Sequence, residues 1–194
     1  DGLGSMALYS PDKRYIALVK GGCRTEREAY KGPANRDIWL YDTQKQSYHQ
    51  LTDYQGNDFM PRWGGKRTLF FISSRNGRYN VFQADVDEEK GQFKEVPNAV
   101  TDFSREGIRY FDVDTTGRIL AFEKGTGLFL QDVKSGNEAT RMQVKLPEDY
   151  RENPVAFKTY KQGLRHFTVS PSGRYTAFEV RGELFLVDNK REKS

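Results

Sequence analysis

Ser10-Pro11-Asp12-Lys13-Arg14-Tyr15-Ile16-Ala17 and Ser170-Pro171-Ser172-Gly173-Arg174-Tyr175-Thr176-Ala177 share one layout. An apolar run enters a tight turn rich in Pro, Asp, Ser and Gly, and a second apolar run leaves it. Those turn residues supply preset or positive φ values, so each copy reads as a β-hairpin. Two further copies lie between them, at Pro61-Arg62-Trp63-Gly64-Gly65-Lys66-Arg67-Thr68-Leu69-Phe70-Phe71 and at Phe111-Asp112-Val113-Asp114-Thr115-Thr116-Gly117-Arg118-Ile119-Leu120-Ala121-Phe122. Aligning Arg14, Arg67, Arg118 and Arg174 gives steps of 53, 51 and 56 residues.

A third apolar run follows each hairpin and ends at an Asp: Asp37–Asp42, Tyr79–Asp85, Leu128–Asp132 and Glu183–Asp188. Fourth strands are expected at Tyr48–Thr52, Phe93–Val96 and Thr140–Val144. The runs are rich in β-branched and aromatic residues and lack helical periodicity. One helix-like stretch, Arg24 to Lys31, reads as a loop with a single helical turn. Four-stranded units repeated at about 50 residues predict an all-β chain of β-propeller blades, each a four-stranded antiparallel sheet. The chain holds about three blades and a partial fourth. A plain β-sandwich also explains short strands, but not the recurring turn and Asp positions.

Composition agrees with this. The 194 residues are 36% hydrophobic and include 13 Phe, 11 Tyr and 2 Trp, enough aromatic surface for a sizeable core. Fibrous or wholly disordered chains are excluded, since the 18 Gly and 7 Pro show no period. No stretch approaches 18 apolar residues, so no helical membrane span is expected. The net charge of +4 arises from interleaved signs without a basic run, which argues against nucleic acid as a partner. The single cysteine, Cys23, rules out an intrachain disulfide framework and a thiolate zinc site. The chain starts Asp1-Gly2-Leu3-Gly4, without initiator Met or signal pattern, and the repeats favour a piece of a longer protein.

The Ser-Pro-Asp turns resemble the repeat of TolB-like propellers, a motif that many propellers share. A longer order is more specific. Ala34-Asn35-Arg36-Asp37-Ile38-Trp39-Leu40-Tyr41-Asp42 leads to Gln50-Leu51-Thr52-Asp53 and Asp58-Phe59-Met60-Pro61-Arg62-Trp63. Phe71-Ile72-Ser73-Ser74-Arg75-Asn76-Gly77 and Tyr79-Asn80-Val81-Phe82 follow, then Gly127–Asp132, Arg141–Leu146 and Val180–Val187. This order resembles the amino-terminal propeller region of bacterial tricorn-like serine peptidases and covers nearly the whole chain. The resemblance implies the last blades of a first propeller at 1–146, a connecting segment at 147–163 and the start of a second propeller at 164–194. The shortened Trp63-Gly64-Gly65-Lys66 turn and Asp114-Thr115 in place of Ser-Pro depart from the family repeat. In the family the peptidase chemistry and a PDZ-like module lie downstream. No segment here matches either, so no catalytic residue carries over.

The residues themselves agree. His49 and His166 are the only histidines, and no Gly-x-Ser-x-Gly elbow is present. Both read as ordinary strand residues. Cys23 reads as a structural thiol. Asp112 to Glu123 places acids and a Gly as a calcium loop does, but it spans two strands and their turn, where an EF-hand needs flanking helices. Gly64-Gly65-Lys66-Arg67-Thr68 and Lys124-Gly125-Thr126-Gly127 miss the phosphate-loop pattern and read as hairpin turns. No cofactor and no metal is expected. The unusual insertion is Gly22 to Arg36. Its Arg24, Glu26, Arg27, Glu28, Tyr30, Lys31 and Arg36 form the candidate interaction loop, since functional residues concentrate on long loops of rigid scaffolds. A solvated charged loop is the plainer alternative.

The expected function is therefore a non-catalytic propeller portion of a tricorn-like serine peptidase that steers or gates peptide substrates and supports assembly. A TolB-like module acting through protein partners, outside any protease, is the alternative. An enzyme working in the propeller channel would need converging acids and histidines, which two isolated histidines do not provide. The expected partners are a peptide or protein and the remainder of the parent peptidase. Exposed blade edges also predict self-association of the isolated chain. A periplasmic or otherwise exported location follows from the resemblance alone.

Overall fold

The computed structural model describes residues 4–87, 89–144, 159–160 and 162–190. It divides into two compact units, Asp1–Lys145 and Leu146–Ser194. The described residues contain sixteen strands and no helix. No described helix is long and apolar enough to cross a membrane.

The first unit holds three sheets. The strands β1 (Ser5–Tyr9), β2 (Tyr15–Lys20), β3 (Asp37–Asp42) and β4 (Ser47–Gln50) pair in chain order, all antiparallel. The second sheet follows the same order with β5 (Asp58–Gly64), β6 (Thr68–Ser73), β7 (Asn80–Asp87) and β8 (Gln92–Phe93). A short β9 (Asn98–Ala99) also pairs with β7. The third comprises β10 (Ile108–Val113), β11 (Ile119–Lys124), β12 (Gly127–Asp132) and β13 (Thr140–Arg141). In the second unit, β14 (Leu164–Val169), β15 (Tyr175–Val180) and β16 (Glu183–Asp188) form a three-stranded sheet. The blade expectation holds: each hairpin and third strand falls where the repeat puts it.

Three local expectations are revised. The fourth strand of the second blade is split into β8 and β9, because Pro97 between them has no N–H to give to the ladder. The fourth strands of blades one and three are shorter than expected, at Ser47–Gln50 and Thr140–Arg141. Arg24–Lys31 is not helical; Arg27 N–H donates to Arg24 O and Tyr30 N–H to Arg27 O, two successive turns. The expected connecting segment 147–163 lies mostly outside the described residues.

The hairpin turns are built alike from different side chains. Ser10 Oγ accepts the Tyr15 N–H at 2.9 Å and donates to Asp12 at 2.5 Å. Ser170 Oγ accepts the Tyr175 N–H at 3.0 Å. In blade three Asp114 Oδ1 accepts from both Arg118 N (2.7 Å) and Ile119 N (2.8 Å). The arginine of the turn then pairs with the Asp that ends the third strand: Arg14 with Asp42, Arg118 with Asp132, Arg174 with Asp188. The other oxygen of that Asp caps the next turn, bonding Gln44 and Lys45, Lys134, or Lys190 N–H. In blade two β7 runs two residues longer, and the roles divide. Asp85 accepts from Thr68 Oγ1 at 2.6 Å, while Asp87 caps the turn at Glu89 and Lys90.

Blade two is packed on both faces. Tyr15, Ala17, Ile38 and Leu40 of blade one meet Trp63, Leu69, Phe71, Phe82 and Val86. On the other face Phe70, Ile72 and Val81 meet Ile108, Phe111, Leu120 and Phe122 of blade three. Gly64 and Gly117 let blades two and three approach. A Cβ on Gly64 would lie 2.7 Å from Gly117 Cα and 2.5 Å from the Phe70 ring.

Candidate functional site

Among the first strands of the three blades of the first unit, β5 packs against both β1 and β10. Each pairs within its own sheet on one side only, with β2, β6 and β11. Their free edges therefore line a common wall. Met6, Ala7, Leu8, Met60, Arg62, Trp63, Tyr110 and Asp112 enclose a recess of about 630 Å³ there. Trp63 is buried at its foot, and its indole N–H donates to Leu8 O at 3.5 Å. Arg62 reaches Asp112 on the neighbouring blade at 3.5 Å. Tyr110 is 62% exposed, and Met6 and Leu8 are also open to solvent.

A backbone device recurs in the first strand of every sheet, in each unit. Each of β1, β5, β10 and β14 shifts register against its partner near its start. Met6, Met60 and His166 sit at three of these shifts with φ of 54°, 55° and 46°. Such bulges re-aim side chains, and a non-glycine residue held there costs of order 1–3 kcal/mol. The wall combines adaptable Met side chains, amphipathic aromatic rings and one ion pair. Such a surface suits an extended polypeptide segment.

The candidate loop is anchored more firmly than its charge suggests. Arg36 Nε donates to Cys23 O at 2.5 Å, and its backbone N–H donates to Asn57 Oδ1. Asn57, wholly buried, also donates to Arg27 O and to the Tyr79 hydroxyl. Burial pushes that phenol up to about 12. Glu28 accepts from the Tyr79 backbone N–H and pairs with Arg78 at 3.1 Å. Arg27 lies over the Tyr30 ring at 4.5 Å, and the Tyr30 hydroxyl accepts the Ala34 N–H. So Arg27, Glu28, Tyr30 and Arg36 pin the loop to itself and to blade two. Arg24, Glu26 and Lys31 are exposed. Lys31 lines a polar recess of about 450 Å³ with Asn35, Asp37, Gln50, Asp53 and Tyr54.

The remaining candidates have structural surroundings. Cys23 is buried, and Asn57 donates toward its sulfur at 3.6 Å. His49 sits on the outer strand β4, 3.0 Å from Ser47 Oγ. His166 lies in the second unit, on β14. Among the described residues no group of three or more His, Cys, Asp or Glu is placed to hold a metal ion. Asp114 is occupied by its turn: the Thr116 hydroxyl and the Ile119 and Arg118 N–H groups hold its carboxyl down at about 2. Sequence reasoning missed the inner wall and the pins made by half-buried Asn35 and buried Asn57. The only signal for the wall was that each repeat opens with a strand of bulky residues.

No family model and no curated protein matches the chain. Solved structures do. The fold is similar to the tricorn protease, with TM-score 0.58 and 16% identity, over 94% of this chain and 16% of that one. It is similar to TolB from Acinetobacter baumannii, with TM-score 0.56 and 16% identity, over 97% of this chain and 41% of that one. A putative TolB from Agrobacterium tumefaciens gives TM-score 0.52 and 18% identity, over 69% and 46%. The blades are those of a β-propeller. The chain spans less than half the length of each of these proteins.

Proposed function

We propose that this chain is a non-catalytic propeller portion of a tricorn-like serine peptidase, and that its inner wall binds extended polypeptide segments on their way to a catalytic part. The observation that carries the reading is the convergence of β1, β5 and β10 on the recess lined by Met6, Leu8, Arg62, Trp63 and Tyr110. The order of motifs from Asp37 to Val187 supports the peptidase assignment. The exposed Arg24, Glu26 and Lys31 are a second contact point, for the parent's remaining domains. An exported location belongs to the same reading.

Binding of fluorescent unstructured peptides to the purified chain tests it. Tyr110→Ala and Arg62→Ala are expected to weaken binding by roughly tenfold, about 1.4 kcal/mol. Binding that neither substitution changes overturns the inner-wall assignment. The purified chain is also expected to leave unstructured proteins uncleaved. Turnover lost on mutating His49 or His166 would refute the non-catalytic reading. A TolB-like module working through protein partners would use the same wall. The coding sequence downstream separates the two: a PDZ-like stretch and a peptidase core support the peptidase.

A further inference from the structure

Two acidic residues flank Thr52 where blade one joins blade two, with the Asp58 backbone N–H donating to Arg36 O at 2.8 Å. Asp37 opens β3 and Asp58 opens β5. Asp58 is wholly buried; its Oδ2 accepts from Arg75 Nη2 at 2.7 Å, and among the described residues its Oδ1 has no hydrogen-bond partner. Asp37 Oδ1 accepts from the Thr52 hydroxyl at 3.4 Å, and Oδ2 from Asn35 Nδ2 at 3.1 Å. Thr52 is also within reach of Asp58, and the two carboxylates repel each other.

The next blade shows what this position needs structurally. Asn80 opens β7 as Asp37 opens β3, and Thr101 stands to it as Thr52 stands to Asp37. Thr101 accepts the Val81 N–H as Thr52 accepts the Ile38 N–H. Asn80 is neutral and satisfied: its Oδ1 accepts from Thr101 and Phe103, and its Nδ2 donates to Asn76 and Phe103 O. In blade one Asn35 supplies the amide, donating to Tyr54 O at 2.7 Å. The fold therefore does not require a charge at Asp37.

The charges around the pair do not balance. Arg75 is the cation that touches it, with its guanidinium also over the Tyr54, Phe71 and Phe82 rings. Asp53, on the connection, adds a third negative charge facing Asp37. Ser73 on β6 and Thr52 contribute hydroxyls. Lys31 lies at the rim of the recess, while Lys20, opposite Asp37 in the ladder, is held over Trp39 and Tyr48.

We propose that Asp37, Thr52 and Asp58 form a proton-operated latch between the first two blades, which takes up a proton in mildly acidic solution and then holds the junction more tightly. Proton uptake relieves the cost of keeping two charged carboxylates out of water and the repulsion on them, which Arg75 offsets only in part. Burial, the leading cause at both positions, pushes each carboxyl up to about 6. A carboxyl raised above its unfolded value stabilises the fold fully below the unfolded pKa, and that stability is lost as pH rises through about 6. Through Asn35 the latch also bears on the end of the loop that carries Arg24, Glu26 and Lys31.

Melting temperatures of the full chain between pH 5 and 7.5, with carboxyl-carbon NMR titrations of Asp37 and Asp58, test the proposal. The chain is expected to melt about 5 °C higher at pH 5 than at pH 7.5. The Asp37→Asn variant, patterned on Asn80, is expected to lose roughly half of that difference, with Asp58 keeping its own burial-driven share. It leaves both histidines in place, so their titration cannot account for the change. Carboxyls that both titrate near 4, or a pH dependence undiminished in Asp37→Asn, overturn the latch. Should Asp37→Asn fail to fold, the titration midpoints alone decide.

Discussion

Asp114 does with a carboxylate what Ser10 and Ser170 do with a hydroxyl. Each accepts the backbone N–H that closes its hairpin. Asp114→Ser is therefore expected to fold with little loss of melting temperature, whereas Asp114→Ala leaves both N–H groups without that acceptor and melts lower. The carboxylate adds an acid sensitivity of its own. Its bonds hold it down at about 2, so its contribution is complete above the unfolded pKa near 3.8 and is lost as pH falls through about 2. The melting temperatures of wild type and Asp114→Ala, apart at pH 7, should draw together as pH falls from about 4 to about 2. Asp132, held below its usual range by Arg118 and the Lys134 N–H, loses its bonds in the same direction.

At the scale of elements, Thr52 and Thr101 tie a connecting segment to the third strand before it. Each hydroxyl accepts a buried strand N–H. Thr101→Val keeps the shape and leaves the Val81 N–H unpaired, a loss of about 1–3 kcal/mol measurable by urea unfolding. Gly64 is the second sensitive point. Gly64→Ala forces a methyl against Gly117 Cα and the Phe70 ring and is expected to cost about 1–3 kcal/mol. A Gly64→Ala chain as stable as wild type would show that blades two and three have room to part.

At the scale of the molecule, burial is uneven. Blade two is covered on both faces, and Phe71 at its centre is wholly buried. Phe71→Ala is expected to cost about 3–5 kcal/mol. Hydrogen exchange should be slowest along β6 and β7. The second unit is the opposite case: Phe167 is 70% and Leu184 80% exposed, beside Leu164, Val169 and Leu186. Apolar surface of this kind marks interaction sites. Light scattering is expected to show the isolated chain self-associating, and Phe167→Asp with Leu184→Asp should reduce it. A strictly monomeric wild-type chain would count against that expectation.

The sequence by itself determined the all-β class, the blade repeat and the places of the hairpins and third strands. Those features are local: a turn needs its Pro, Gly, Ser or Asp within a few residues, and a strand needs its apolar run. The recurring Asp at the end of each third strand was legible for the same reason, since it caps the turn two residues on. Its ion pair with the turn arginine, 14 residues away in Arg118–Asp132 but 28 in Arg14–Asp42, was not. The candidate loop was found by its length and its charge. Charge does not say which groups face inward, so Glu28 and Arg36 read as contact residues until Tyr79 and Cys23 were seen to hold them. Only the tertiary structure brought Met6, Arg62 and Tyr110 to one wall, and Asp37 to Asp58. These residues belong to different blades, and the packing of one blade on the next decides their distance.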